Sequence, residues 1–372
     1  MGARREVIIG VDTHSAQHCA ATVDLNGRLL GSEEFPASAD GYRELLVWAR
    51  RFGTPRQAGV EETGAYGAGL ARFLLAEGVD VREVPRPDRR QRRLRGKSDP
   101  LDAEAAARAV LAGTARVRPK IADGPIEAIR ALRVARLGAI KARTAATNTL
   151  RSMVITAPEP LRALLPSSGL PNKVINACCG LRPDISRLDD PLQATKFALR
   201  SVARRARALS EEIRELDREL GELVGAVAPR ALGTFAMGPD TASALLVSIG
   251  DNPERLRSEA AFARLCGVAP IPASSGKTNR HRLHRGGDRS ANRALHIAVV
   301  VRMRYCERTR AYVARRTSEG LSKPEIIRCL KRYLAREMYH EPVQDPWRLH
   351  TLEARMEPWT RSTQHRSATR LS

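Results

Sequence analysis

Four carboxylates stand where a catalytic site could be built. Asp12 follows a short β-branched run in IIGVDTH, and Glu61, in VEETGAYG, ends the strand Ala58-Gly59-Val60-Glu61. Asp99 and Asp102, in KSDPLDA, are three apart at the opening of an Ala-rich helix, a spacing that puts both side chains on one face. Carboxylates brought together repel one another unless a cation lies between them. Oxygen-only donors suit Mg²⁺, with Mn²⁺ as the second choice. Two such ions about 4 Å apart activate a nucleophile and stabilise a leaving oxygen at phosphorus. Each acid also has a plainer use. Asp99 suits a helix N-cap with Pro100 in the first helical position. Asp102 suits a first-turn acid facing the helix dipole, and Asp12 a turn residue. Glu62 competes with Glu61, because strand alternation sends only one of two neighbours to the active face.

A second constellation lies in the last third. PASSGKT places Ser274 and Ser275 before Gly276, and NRHRLHRGG follows it. A serine oxygen attacks phosphorus when cations hold the phosphate and a base or metal takes its proton. Lys277, Arg280, Arg282 and Arg285 are spaced to hold phosphates; the plainer reading is a Ser-Gly turn in a DNA-binding loop. His281 and His284 form an HxxH pair with no Cys or acid nearby, so zinc is not indicated. In MGPDTA, Gly238 opens a turn into a helix N-terminus, where backbone N–H groups hold phosphate, as in a helix-hairpin-helix; a simple capped helix reads equally well. The run PRPDRRQRRLRGK at 85–97 offers Arg89, Arg90, Arg92, Arg93, Arg95 and Lys97 to a phosphate backbone.

The elements that must position these residues alternate over 7–84. Val7–Val11 reads as a buried strand. His18–Val23 and Leu29–Phe35 read as two more, joined by an Asn26-Gly27 turn. Ser38 caps a helix reaching about Arg51. Ala58–Glu61 is a strand, Ala68–Ala76 a helix and Asp80–Val84 a strand. Three antiparallel strands, then helix, strand, helix and strand, is the order of an α/β RNase H-like domain, in which the first and fourth strands are neighbours and Asp12 meets Glu61. Long helices follow. Val202, Ala206, Leu209, Ile213, Leu216, Leu220 and Leu223 repeat in steps of four and three, a coiled-coil seam. Ile126, Ile129, Leu137, Ile140, Thr147 and Val154 supply a second stripe, and 156–195 reads as a loop or tip. The expected organisation is a metal-binding domain at 6–118, a helical coiled-coil linker at 119–228, a mainly α domain with the serine at 229–340, and a polar, disordered tail at 341–372.

The chain of 372 residues carries 63 Lys+Arg against 41 Asp+Glu, a net charge of +22 that favours a polyanionic partner. Arg and Ala over-use in a GC-rich genome accounts for part of it. Aromatic residues are 4%, too few for base-stacking platforms. The six cysteines form no CxxC pair, which argues against a zinc knuckle and suits a reducing cytosol. No signal peptide opens the chain and no apolar run reaches a membrane span, so the expected location is cytoplasmic, at the nucleoid.

Taken in order, IIGVDTH, VEETGAYG, KSDPLDA, MGPDTA, PASSGKT and HRGGDRSANRALH resemble the IS110 family of insertion-sequence transposases over roughly residues 6–340. The resemblance implies a RuvC-like DEDD domain with Asp12, Glu61, Asp99 and Asp102 as metal ligands. It also implies a second domain in which the nucleophile is the serine directly before the glycine, Ser275, with Ser274 its neighbour. It implies action as an oligomer on insertion-sequence ends and target DNA, a phosphoserine link to DNA, and guidance by a structured RNA from the element. Two other readings remain. A structure-selective junction nuclease using the carboxylates alone makes Ser275 dispensable. A non-catalytic nucleic-acid-binding protein shows no metal-dependent chemistry.

Overall fold

The β-branched run after Arg5 forms β1 (Glu6–Thr13), followed by β2 (Gln17–Asp24) and β3 (Leu29–Pro36). The chain continues as α1 (Ala39–Phe52), β4 (Thr54–Glu61), α2 (Ala68–Ala76), β5 (Asp80–Val84) and α3 (Asp99–Leu111). This computed structural model describes residues 5–85, 98–120, 122–166, 171–251, 256, 258–274, 281–282, 284 and 286–340. They fall into two units: one from the described residues of Met1–Glu127 and Ile249–Arg257, the other from those of Ala128–Ser248 and Ser258–Ser372.

In the first unit the sheet order is β3-β2-β1-β4-β5. β1, β2 and β3 pair antiparallel, while β4 runs parallel to β1 and to β5. The expected RNase H-like order is therefore the observed one, with the first and fourth strands side by side. The Asn26-Gly27 turn closes β2 onto β3, the Asp24 N–H donating to the Arg28 carbonyl. Ser38 caps α1 as its type predicts, its Oγ accepting from the Gly41 N–H.

Alternation along β1 divides the core into two layers. Ile9 and Val11 pack with Leu45, Leu46, Trp48, Leu70 and Leu74 of α1 and α2. On the opposite face Ile8 packs with Ala106, Ala107 and Val110 of α3. The contact with α3 is unusually close, because β1 and β4 each present a glycine to it and the two glycines are register partners. A Cβ on Gly10 would lie 2.0 Å from the Ala103 carbonyl oxygen and 2.3 Å from the Ala107 nitrogen. One on Gly59 would lie 2.6 Å from the Ala106 carbonyl oxygen. Small residues on both sides let helix backbone rest on strand backbone.

The second unit is nearly all helix: α4 (Pro125–Ile155, whose first turn belongs to the first unit), α5 (Glu159–Arg162), α6 (Pro171–Cys179), α7 (Pro191–Val227), α8 (Pro229–Gly233), α9 (Pro239–Ile249), α10 (Glu259–Leu265), α11 (Arg289–Tyr305), α12 (Glu307–Ser318) and α13 (Lys323–His340). A short ribbon of β6 (Ile271–Pro272) and β7 (His281–Arg282) interrupts it. The described residues place mainly α structure at 229–340, as expected.

Three expectations change. Residues 156–195 are not a loop: α5, α6, a 3-10 turn at Ile185–Arg187 and the start of α7 lie there. Leu161, Leu165, Val174, Ile175 and Cys178 join a core with Leu150, Val154 and Leu199. The prolines of this segment read as breakers, but Pro171 and Pro191 open helices, where a missing N–H costs nothing. Asp99 is not the N-cap of α3; Ser98 is, in extended geometry, and its carbonyl accepts from the Asp102 N–H. Finally, the second apolar stripe is broken on α4, where Leu137 is exposed.

The buried line on α4 instead includes Arg133, 8% exposed. Its guanidinium donates to the Asp240 carbonyl and carboxylate, both at 2.7 Å, to Ser243 Oγ at 3.0 Å and to Ser290 Oγ at 3.1 Å. One side chain thus ties α4 to α9 and α11. Arg133→Met should lower the stability of this unit by about 3 kcal/mol, read as a lower urea midpoint. That is the low end for removing one partner from a buried ion pair, because Arg136 still reaches Asp240. An unchanged midpoint would show that the network contributes nothing.

Candidate metal centre

β1 and β4 end together: Val11 pairs with Val60, so the next residues, Asp12 and Glu61, stand at neighbouring strand ends. Both are buried, at 7% and 3% exposure. Thr13 ties the two ends, its Oγ1 donating to the Glu61 carbonyl at 3.2 Å. Glu62 has already left the strand, with a left-handed φ of 47°, so alternation along β4 no longer governs it. The glycine contact brings the first turn of α3 to this same end of the sheet. Asp102 is buried there at 8%, and Asp99 is half-exposed.

Three of the acids interact electrostatically, Asp12 with both Asp99 and Asp102. Burial is the largest influence on Asp12 and raises its pKa; the nearby Asp102 and Asp99 carboxylates raise it further, while His14 opposes them. His14 is the residue that sequence reading left without a role. Its Nε2 lies 3.3 Å from Asp12 Oδ2 and 3.4 Å from Asp99 Oδ2. The available signal was its position two residues past Asp12, just beyond the end of β1.

One ligand atom each from Asp12, His14 and Asp99 lie within 4.8 Å of one another. Opposite ligands on an octahedral Mg²⁺ are about 4.2 Å apart, from bonds of about 2.1 Å. The group therefore fits a divalent cation after side-chain shifts of a few tenths of an ångström. Two carboxylates supply hard oxygen donors, and an imidazole would favour Mn²⁺ more than Mg²⁺.

The other positions singled out from sequence lie elsewhere. Gly238 precedes α9, and its N–H is taken up within the turn by Thr241 Oγ1 at 2.9 Å. The Asp240 carboxylate beside it is engaged by Arg133 and Arg136. Arg282 is exposed on β7, and Ser274 is exposed just after β6. Ser275, Lys277, Arg280 and Arg285 lie outside the described residues, as do Arg89, Arg90, Arg92, Arg93, Arg95 and Lys97.

The five-stranded sheet, with α3 against it and acids at one end, defines an RNase H-like domain. A transposase model of the IS110 DEDD type matches residues 9–157, and the model described as the transposase IS116/IS110/IS902 family matches residues 232–314. The chain belongs to the IS110 family of transposases. It is also 30% identical over 136 residues to the insertion element IS110 uncharacterized 43.6 kDa protein of Streptomyces coelicolor. That match covers 36% of this chain and 33% of the relative's length.

Proposed function

We propose that this protein is an enzyme that cuts and rejoins DNA to move an insertion sequence, using a divalent metal centre and a serine nucleophile. The observation that carries the reading is the convergence of Asp12, Glu61 and α3, with Asp99 and Asp102, at one end of an RNase H-like sheet. Mg²⁺, or Mn²⁺, held by Asp12, Asp99, Asp102 and Glu61 with His14 beside them, supplies positive charge at phosphorus and lowers the pKa of a coordinated hydroxyl. Burial of Asp12 and Glu61 keeps their carboxylates largely from water. The Gly10 contact holds α3, and with it the second pair of acids, against the first.

Ser275 is the proposed nucleophile. Its Oγ forms a bond to phosphorus, the bond from phosphorus to one DNA oxygen breaks, and that oxygen leaves as a hydroxyl with the transferred proton. Rejoining reverses the exchange: a DNA hydroxyl attacks the phosphoserine and releases the serine. Lys277, Arg280, Arg282 and Arg285 hold the phosphate, and the arginine-rich stretch from Arg89 to Lys97 binds nucleic acid. The DNA partners are the element ends and the target, and a structured RNA guides the choice of site. The enzyme acts in the cytoplasm, on the nucleoid; no described helix is long and apolar enough to cross a membrane. It works as a homo-oligomer. Supporting this, Val202, Leu209, Leu216 and Leu223 stay half-buried on α7, beside the buried Ala206, Ile213 and Leu220. The working division of the chain is 6–118 for the metal, 119–228 for assembly and 229–340 for the serine.

A nicked element-end duplex tests the chemistry. The nick lets the leaving strand diffuse away, so a phosphoserine adduct accumulates. Mass spectrometry should place it on the peptide containing Ser274 and Ser275, and Ser275→Ala should abolish it. Normal DNA processing by Ser275→Ala, with Asp12→Asn inactive, would replace this scheme with a junction nuclease that uses the carboxylates alone.

A further inference from the structure

The second unit contains a cavity of about 480 Å³ between the ribbon, the turn after α10 and the flank of α13. Its described lining residues include Arg282, Arg316, Arg328, Lys331 and Arg332 but one carboxylate, Glu325. Several of these charges are already spoken for. Arg332 pairs with Glu259, Arg316 with Glu319, and Arg328 approaches Glu325 at 3.8 Å. Arg282 and Lys331 have no carboxylate partner among the described residues.

Lys331 is the unusual member. It is 8% exposed although it lines a cavity. Its Nζ donates to Asn292 Oδ1 at 2.9 Å. Asn292 cannot turn away, because its Nδ2 donates to the Cys266 and Gly267 carbonyls at 2.8 and 3.1 Å. The ammonium is thus aimed by a fixed amide, and among the described residues its one acceptor is neutral. An ammonium carries three donors, so two remain for a ligand. Burial and the nearby Arg328 both push its pKa down, a cost that an anion in the cavity would relieve. Two more buried nitrogens on the cavity wall, His284 Nδ1 and Arg316 Nε, lack hydrogen-bond partners among the described residues. The Arg316 Nε–H is a donor in any state, and an unmet donor beside a cavity with surplus positive charge is what a bound oxyanion satisfies.

We propose that this cavity is a phosphate-binding site for the nucleic-acid backbone, with Lys331 at its floor and Arg282 and Arg328 at its mouth. Asn292 is a positioning residue that acts through Lys331. The motif HRGGDRSANRALH thereby gains a use for its asparagine that its spacing alone did not suggest. The source of the phosphate rests on the proposed action on DNA; the anion site itself does not.

Full-length protein and two probes separate these. Inorganic phosphate is titrated by thermal shift against chloride at matched ionic strength, and a short single-stranded oligonucleotide is titrated by anisotropy at several salt concentrations. Lys331→Met, apolar and similar in length, should abolish the phosphate-induced shift. It should weaken oligonucleotide binding about tenfold and reduce the salt slope by about one, as for loss of one phosphate contact. A purely structural lysine would instead lower the melting temperature and leave the slope alone. Arg328→Gln, on the exposed side of α13, gives the same reading at smaller amplitude should Lys331→Met fold poorly. Phosphate binding lost with an unchanged oligonucleotide slope would overturn the backbone assignment and leave a free-phosphate site. Unchanged responses to both probes in both variants would overturn the site itself.

Discussion

Asp12→Asn is expected to leave the chain folded and bound to DNA while strand cleavage falls a thousandfold or more. Asparagine keeps the volume and one acceptor but removes the charge that holds a divalent cation; losing one electrostatic stabiliser of a transition state costs on the order of 10²–10³ in rate, and loss of a shared metal costs more. The stability side runs the other way. Burial holds the Asp12 pKa above its ordinary value, so folding disfavours the ionised form. For an acid raised in the folded state, that cost is present above the folded pKa and is relieved as pH falls through it. At neutral pH and without metal, Asp12→Asn should therefore melt at the same temperature as the parent or higher. Calorimetric titration with Mn²⁺ should show weakened binding, and the salt dependence of DNA affinity should be unchanged, because it rests on Lys and Arg. Full cleavage by this variant would remove the metal centre from the mechanism.

Gly10→Ala is expected to be the most damaging single-methyl change in the first unit. The new carbon would stand 2.0 Å from the Ala103 carbonyl oxygen, and the obstacle is helix backbone, which no rotamer change can clear. Overpacking usually costs about 1–3 kcal/mol; here α3 must lift from the sheet, so a loss above about 3 kcal/mol is expected from urea denaturation. Ala103→Gly should not rescue it, since the opposing atom is the carbonyl oxygen and not the Ala103 methyl. Mn²⁺ affinity should fall as well, because α3 carries Asp99 and Asp102. A variant of parental stability would mean that α3 rides higher on the sheet than described.

The strands were legible from the β-branched run of β1, the Asn26-Gly27 turn between β2 and β3, and short segments between helices for β4 and β5. Asp12 and Glu61 were legible because each stands at the C-terminal end of such a strand. What escaped depended on partners distant in sequence. Arg133 reads as a surface charge on a helix until Asp240, Ser243 and Ser290 are folded around it. The short helices at 159–162 and 171–179 hold too few turns for a hydrophobic period to emerge. The cap of α3 fell on Ser98 and not on Asp99 because both residue types cap helices well, and the choice leaves the Asp99 carboxylate available beside His14. Gly10 and Gly59 looked like ordinary small residues within strands. Their use became apparent only once they paired with each other beneath α3.

The first unit takes in residues from Ile249–Arg257, far along the chain from Met1–Glu127. Asp251 in that return segment accepts a hydrogen bond from the Ile126 N–H, at the start of α4. On the ribosome, this carboxylate emerges about 125 residues after the helix start whose N–H it accepts, a delay of roughly 6–25 s at about 5–20 residues per second. Until then the first turn of α4 lacks that acceptor. A fragment ending anywhere before Asp251 would lack that acceptor permanently. The order of synthesis thus finishes the first unit only after α9 has been made.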